Sequence, residues 1–83
     1  MSFREKIIEL VKENLENKEV SVTGESLLED DLGFDSFATV MLINSIEDEF
    51  GINIDVDSVK DTLSVNDIIK KLSENHPEIV ARK

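Results

Sequence analysis

Asp35, Ser36 and Phe37 form the candidate functional centre of this 83-residue chain, because their types and spacing suit a serine that carries an anion. Gly33 permits a tight turn, Asp35 is a favoured N-cap, and an apolar-periodic run begins at Phe37, so Ser36 falls on the first turn of a helix. There the leading backbone N–H groups lack intrahelical acceptors and the macrodipole is positive. A phosphate esterified to the serine hydroxyl sits in a favourable field. On local chemistry alone, the same residues also read as an ordinary helix start.

Other chemistries fail on residue type. A serine hydroxyl is a weak nucleophile without a base, and no histidine lies near Ser36 in the sequence, so no catalytic residue is assigned. The chain has no cysteine, which removes disulfides and thiolate metal sites. Asp55-Val56-Asp57 opens like a calcium loop, but Val59 and Lys60 stand where an oxygen ligand and a glycine are needed, so no metal site is expected. His76 has neither a second histidine nor a cysteine to join it.

The formal net charge is −10, and it is unevenly spread. Between Lys18 and Lys60 there is no Lys or Arg, while eleven of the nineteen acids lie there, Asp35, Glu47 and Asp48 among them. That field repels nucleic acid and anionic membrane and steers basic protein surfaces toward Ser36. The N-terminus opens on charge with no long apolar stretch. Neither a signal peptide nor a membrane span is expected, and the cytoplasm is the expected compartment.

The elements that must position Ser36 follow from periodicity. Ser2 and Glu5 make a capping box, and Phe3, Ile7, Leu10, Val11 and Leu15 give an amphipathic helix to about Asn17. From Lys18 to Phe34 the periodicity stops. Val20, Val22, Leu27, Leu28 and Leu32 are expected to pin an ordered loop across the helices, with one short turn near Leu27–Glu29. A second helix runs from Ser36 to Phe50 and stops at Gly51, with Thr39, Leu42, Ile43, Ile46 and Phe50 facing inward. Phe37, Val40, Met41, Asn44, Glu47 and Asp48 fall on its outer face. Residues 52–55 connect to a short helical turn from Val56 to Asp61, with Val56 and Val59 inward. Ser64 and Asp67 start a last helix with Val65, Ile68, Ile69 and Leu72 on one side, ended by Asn75 and Pro77. The expected fold is all-α: one small antiparallel bundle of three main helices plus one short helix, with a long ordered loop between the first two. It is expected to be a single, monomeric domain over residues 1–83, with a core of about 2–75 and a mobile tail over 76–83.

The segment Asp30-Asp31-Leu32-Gly33-Phe34-Asp35-Ser36-Phe37, followed by Thr39-Val40 and Ile46-Glu47-Asp48-Glu49-Phe50, closely resembles the acyl carrier proteins. The resemblance extends to the first helix, the long loop and the start of the last helix at Thr62–Ile68. It implies that Ser36 receives a 4′-phosphopantetheine arm from coenzyme A, transferred by a Mg²⁺-dependent phosphopantetheinyl transferase, with Asp35 as cap and contact for that enzyme. The arm's thiol then holds acyl groups as thioesters for acyl-loading and acyl-processing enzymes of fatty-acid or related biosynthesis. It further implies that the acidic second helix docks on basic patches of those enzymes, with Asp35, Glu47 and Asp48 in that role; the apolar Phe37, Val40 and Met41 on the outer face are read, from the residues themselves, as further partner contacts. Leu42, Ile46, Ile54, Val59, Leu63 and Ile68 are the implied lining of an acyl pocket. Where such carriers usually have Leu after the serine and acids on the next two turns, this chain has Phe37, Ala38 and Met41. That difference points to a specialised partner. An aminoacyl, peptidyl or polyketide carrier is the alternative, and an unmodified acidic interaction module is the reading from another class.

Overall fold

A computed structural model describes residues 2–15, 19–59 and 62–80, with Val56 and Ser58 described by their backbone alone. The elements are α1 (Phe3–Glu13), α2 (Ser36–Phe50), α3 (Val56–Val59), α4 (Val65–Asn75) and α5 (Pro77–Val80). The fold is all-helical, and among the described residues the strand pairing amounts to one isolated antiparallel bridge, Leu27 with Ser64.

Two of the long helices begin on reciprocal caps. Ser2 N–H donates to Glu5 Oε1 at 3.1 Å while Glu5 N–H donates to Ser2 Oγ at 3.2 Å. Ser64 and Asp67 repeat the exchange at the start of α4, at 3.2 Å in each direction. Each pair satisfies two N–H groups that the helix itself leaves without acceptors. At the other end of α2, Gly51 takes the left-handed conformation (φ 66°) that a side chain would strain, and its N–H closes on the Glu47 carbonyl at 2.8 Å.

α1 stops at Glu13, short of the expected Asn17, which lies outside the described residues. The reason is local. Asn14 turns its side-chain amide back onto the Leu10 carbonyl at 2.8 Å and across to Ser45 Oγ of α2 at 3.3 Å, offering the backbone an alternative to another helical turn. Leu15 still folds inward and is buried.

The long loop is ordered because its main chain pairs with the start of α4. Leu28 N–H donates to the Leu63 carbonyl, Val65 N–H to that of Ser26, and Asn66 N–H to that of Gly24, at 2.9, 3.1 and 2.8 Å. A Cβ on Gly24 would meet the Arg4 guanidinium and the Asn66 side chain, so a side chain there would displace that pair, which is hydrogen-bonded at 2.7 Å. Of the apolar residues expected to pin the loop, Val22, Leu28 and Leu32 are buried and Val20 is half-buried, while Leu27 faces outward.

The core joins Ile7, Leu10 and Val11 of α1 to Leu42, Ile43 and Ile46 of α2, and to Val65, Ile68 and Leu72 of α4. Phe50 and Thr39 are half-buried rather than central; the Phe50 ring lies 5.5 Å from that of Phe3. Val59 packs inward as expected, whereas the Val56 side chain lies outside the described residues. The core also reaches past residue 75, which corrects its expected boundary. Pro77 cannot continue α4, but its fixed φ suits the first position of a new turn, and α5 places Ile79 in the core with no exposed surface. Residues 81–83 lie outside the described residues.

Candidate functional site

The approach to Ser36 is fixed by alternation. Leu32 and Phe34 are buried, while Gly33, Asp35, Ser36 and Phe37 are exposed. Gly33 makes the turn at φ 71°, and Phe34 N–H donates to the Leu28 carbonyl at 2.7 Å. Because Leu28 is itself bonded to Leu63, the position of Ser36 is tied to the start of α4. Phe34 as the anchor was missed in the sequence. Its signal was the two-residue step from Leu32, which periodicity at helical spacing does not register.

Asp35 is the N-cap of α2. Its backbone is extended, its Oδ1 accepts from Ala38 N–H at 2.8 Å, and its carbonyl accepts from both the N–H and the hydroxyl of Thr39 at 2.9 Å. Ser36 is the first residue of the helix. The third helical position, where α1 has Glu5 and α4 has Asp67, is here Ala38, so no carboxylate folds back over the helix start. Among the described residues the N–H groups of Ser36 and Phe37 donate to no protein acceptor, and the Ser36 hydroxyl makes no protein hydrogen bond. An exposed hydroxyl beside two open N–H donors fits a phosphate ester.

The outer face of α2 is more apolar than acidic. Phe37 is 73% exposed, Met41 45% and Val40 37%. Of the acids, Glu47 is half-buried and its Oε2 accepts from Ile54 N–H at 2.7 Å, bracing the connection to α3. Glu49 pairs with Lys6 of α1 at 3.4 Å, and this contact holds the Lys6 ammonium above its ordinary pKa. Asp48 stays exposed and makes no hydrogen bond or ion pair with its side chain among the described residues.

Of the residues named as pocket lining, Leu42, Ile46, Ile54, Val59 and Ile68 come together in the core. Leu63 does not; it is 70% exposed, which corrects its placement. It immediately precedes the N-cap, where its N–H is held by Asp67 Oδ2 at 3.0 Å and its carbonyl by Leu28, and this turns its side chain outward near Leu27. Among the described residues, no group of three or more His, Cys, Asp or Glu side chains could hold a metal ion. None of the described helices is long and apolar enough to cross a membrane.

Residues 5–72 match the family described as "Phosphopantetheine attachment site". The chain belongs to the phosphopantetheine-binding acyl carrier proteins. It is 41% identical over 71 residues to the acyl carrier protein of Desulforapulum autotrophicum, covering 84% of this chain and 92% of that one. The acyl carrier protein of Rickettsia typhi is 39% identical over 72 residues, covering 87% of this chain and 84% of its own length. A solved Mycobacterium tuberculosis structure, itself assigned as an acyl carrier protein, superposes with a TM-score of 0.74 at 31% identity, over 86% of this chain and 95% of that one. Carrier proteins of this family are not enzymes: they hold acyl groups through covalent phosphopantetheine on a serine and depend on a phosphopantetheinyl transferase and acyl-processing enzymes. The exposed serine at the start of α2 fits that group, whose thiol supplies the thioester linkage that a chain without cysteine lacks.

Proposed function

We propose that Ser36 is the serine that takes the arm. The observation that carries this is its place as the exposed first residue of α2, beside the open N–H groups of Ser36 and Phe37. The transferase supplies the base, since no histidine lies near Ser36 in the sequence. The bond from Ser36 Oγ to phosphorus forms as the pyrophosphate link of coenzyme A breaks and the nucleotide half leaves. Asp35 keeps the helix start rigid while this happens and contributes a contact for the loading enzyme.

The whole chain acts as one monomeric carrier domain, working in the cytoplasm. Partner enzymes read the outer face of α2, with Phe37, Val40 and Met41 as the apolar contact and Asp48 as the charge that meets a basic patch. Glu47 contributes at the edge, because its carboxylate already holds the Ile54 N–H. The cargo is an acyl chain of fatty-acid or related biosynthesis. The apolar front favours a specialised partner, and an aminoacyl, peptidyl or polyketide cargo is the second reading on the same observation.

Incubation with coenzyme A and a broad-specificity phosphopantetheinyl transferase, followed by intact mass measurement, tests the assignment. The wild-type chain gains one phosphopantetheine and Ser36→Ala gains none. No gain on wild type, or an equal gain on both, overturns it. If Ser36→Ala instead keeps full binding to a basic partner in the absence of any arm, the unmodified interaction module is the better account.

A further inference from the structure

A groove of about 370 Å³ opens directly beside the candidate attachment point, between the end of α1, the long loop and the first turn of α2. Asp35 and Phe37, the two neighbours of Ser36, both form its rim, and Leu15, Val20, Leu32 and Ala38 line it. Its size is at the low end of the roughly 300–1,000 Å³ of ordinary small-molecule sites, which suits a linear chain rather than a bulky ring system. Its walls are built from packed elements: Leu15 and Leu32 belong to the core, and Asn14, also on the groove, is tied to Leu10 and Ser45.

The geometry points to this groove as the docking site of the pantetheine arm, on the α1–loop side of Ser36 rather than among the buried residues Leu42, Ile46 and Val59. The inference rests on Ser36 as the attachment point. The occupant follows from continuity, since Asp35 and Phe37, the residues on either side of Ser36, both line the groove. Chemistry agrees as well. The arm places a gem-dimethyl group next to its phosphate and then alternates amides with methylene pairs, and the groove offers Val20, Leu32 and Ala38 together with the polar Asn14. Phe37 belongs both to the rim and to the exposed apolar face of α2, so a partner that engages Phe37 disturbs the docked arm.

The test uses the full chain, isotope-labelled and loaded from coenzyme A, with loading established first by intact mass. Nuclear Overhauser contacts are then sought between the arm's methyl protons and protein methyl groups. Contacts to Val20, Leu32 and Ala38 are expected, and Val20→Glu, a change at a half-buried lining position, removes them without changing the mass gain. Contacts to Leu42, Ile46 or Val59 instead, or no contacts at all on a loaded chain, overturn the groove and leave the attachment point standing. Absence of loading overturns the attachment point itself, and the groove with it.

Discussion

At the start of α4, Ser64 and Asp67 exchange hydrogen bonds, Asp67 also takes the Leu63 N–H, and the loop from Gly24 to Leu28 is stitched onto the same turn. At the start of α2, Asp35 caps one N–H, Ala38 stands where a returning carboxylate would be, and two donors are left open around an exposed serine. Both helices begin on a side-chain N-cap and are put to different use. One start is closed by its own side chains and holds the bundle together. The other is held rigid from behind, by buried Phe34 and Leu32, and kept open in front. A carrier needs both, because an attachment point must be exposed without being loose.

The largest effect that separates these roles lies within α2 itself. Ile46→Ala empties a fully buried position and should cost about 2–5 kcal/mol in urea unfolding, whereas Ser36→Ala, on the exposed end, should stay within about 0.5 kcal/mol. A loss below about 1 kcal/mol at Ile46 would mean that α2 is not packed as described. Next in size are the caps. Ser64→Ala and Asp35→Ala should each cost about 1 kcal/mol, but only Ser64→Ala should also weaken amide protection in residues 24–28, because that segment is bonded to the start of α4. Equal loosening of the loop by both variants would erase the distinction.

Ala38→Glu sharpens the comparison further by giving α2 the carboxylate at the third helical position that α1 and α4 use for their reciprocal caps. Stability should change by less than about 1 kcal/mol, while transferase loading should slow, since a carboxylate then competes for the space in front of Ser36. Unchanged loading would show that the open helix start is not used. The smallest effect is the acid response of the closed starts. Hydrogen bonds from the backbones of Leu63 and Ser64 hold the Asp67 carboxyl below its ordinary value of 3.8, and those from Ser2 hold Glu5 below 4.5. A folded-state pKa below the unfolded one gives stability that is complete above the ordinary value and lost as pH falls through the folded value. Amide protection at the first turns of α1 and α4 should therefore fall in acid, starting near pH 4. Ser64→Ala should reduce that response in α4.

The parts of this architecture legible in the sequence were those specified over three or four residues. The boxes at Ser2 and Ser64, the Asp35 cap, the stop at Gly51 and the inward face of Leu42, Ile43 and Ile46 are all of that kind. What was not legible depends on residues far apart in the chain. Whether Leu27 and Leu63 face in or out is decided by the bridge between the loop and α4, not by either residue's neighbours. Glu47 reads as a free surface acid until the chain returns seven residues later and presents the Ile54 N–H. Pro77 marks the end of α4 correctly, yet nothing near it says that the next turn will find space for Ile79. At the site, local chemistry reads the Asp35 cap and Ser36 as the first residue of α2, which an ordinary helix start shares, whereas the groove beside them needs α1, the loop and α2 together.

The central claim is that Ser36 holds the arm, and the most direct measurement is the mass of the protein as made in its own cells, purified so that thioesters survive. The account predicts one phosphopantetheine per chain on the peptide containing Ser36, bearing an acyl group that hydroxylamine releases. An unmodified chain, or a modification on any other residue, would contradict it.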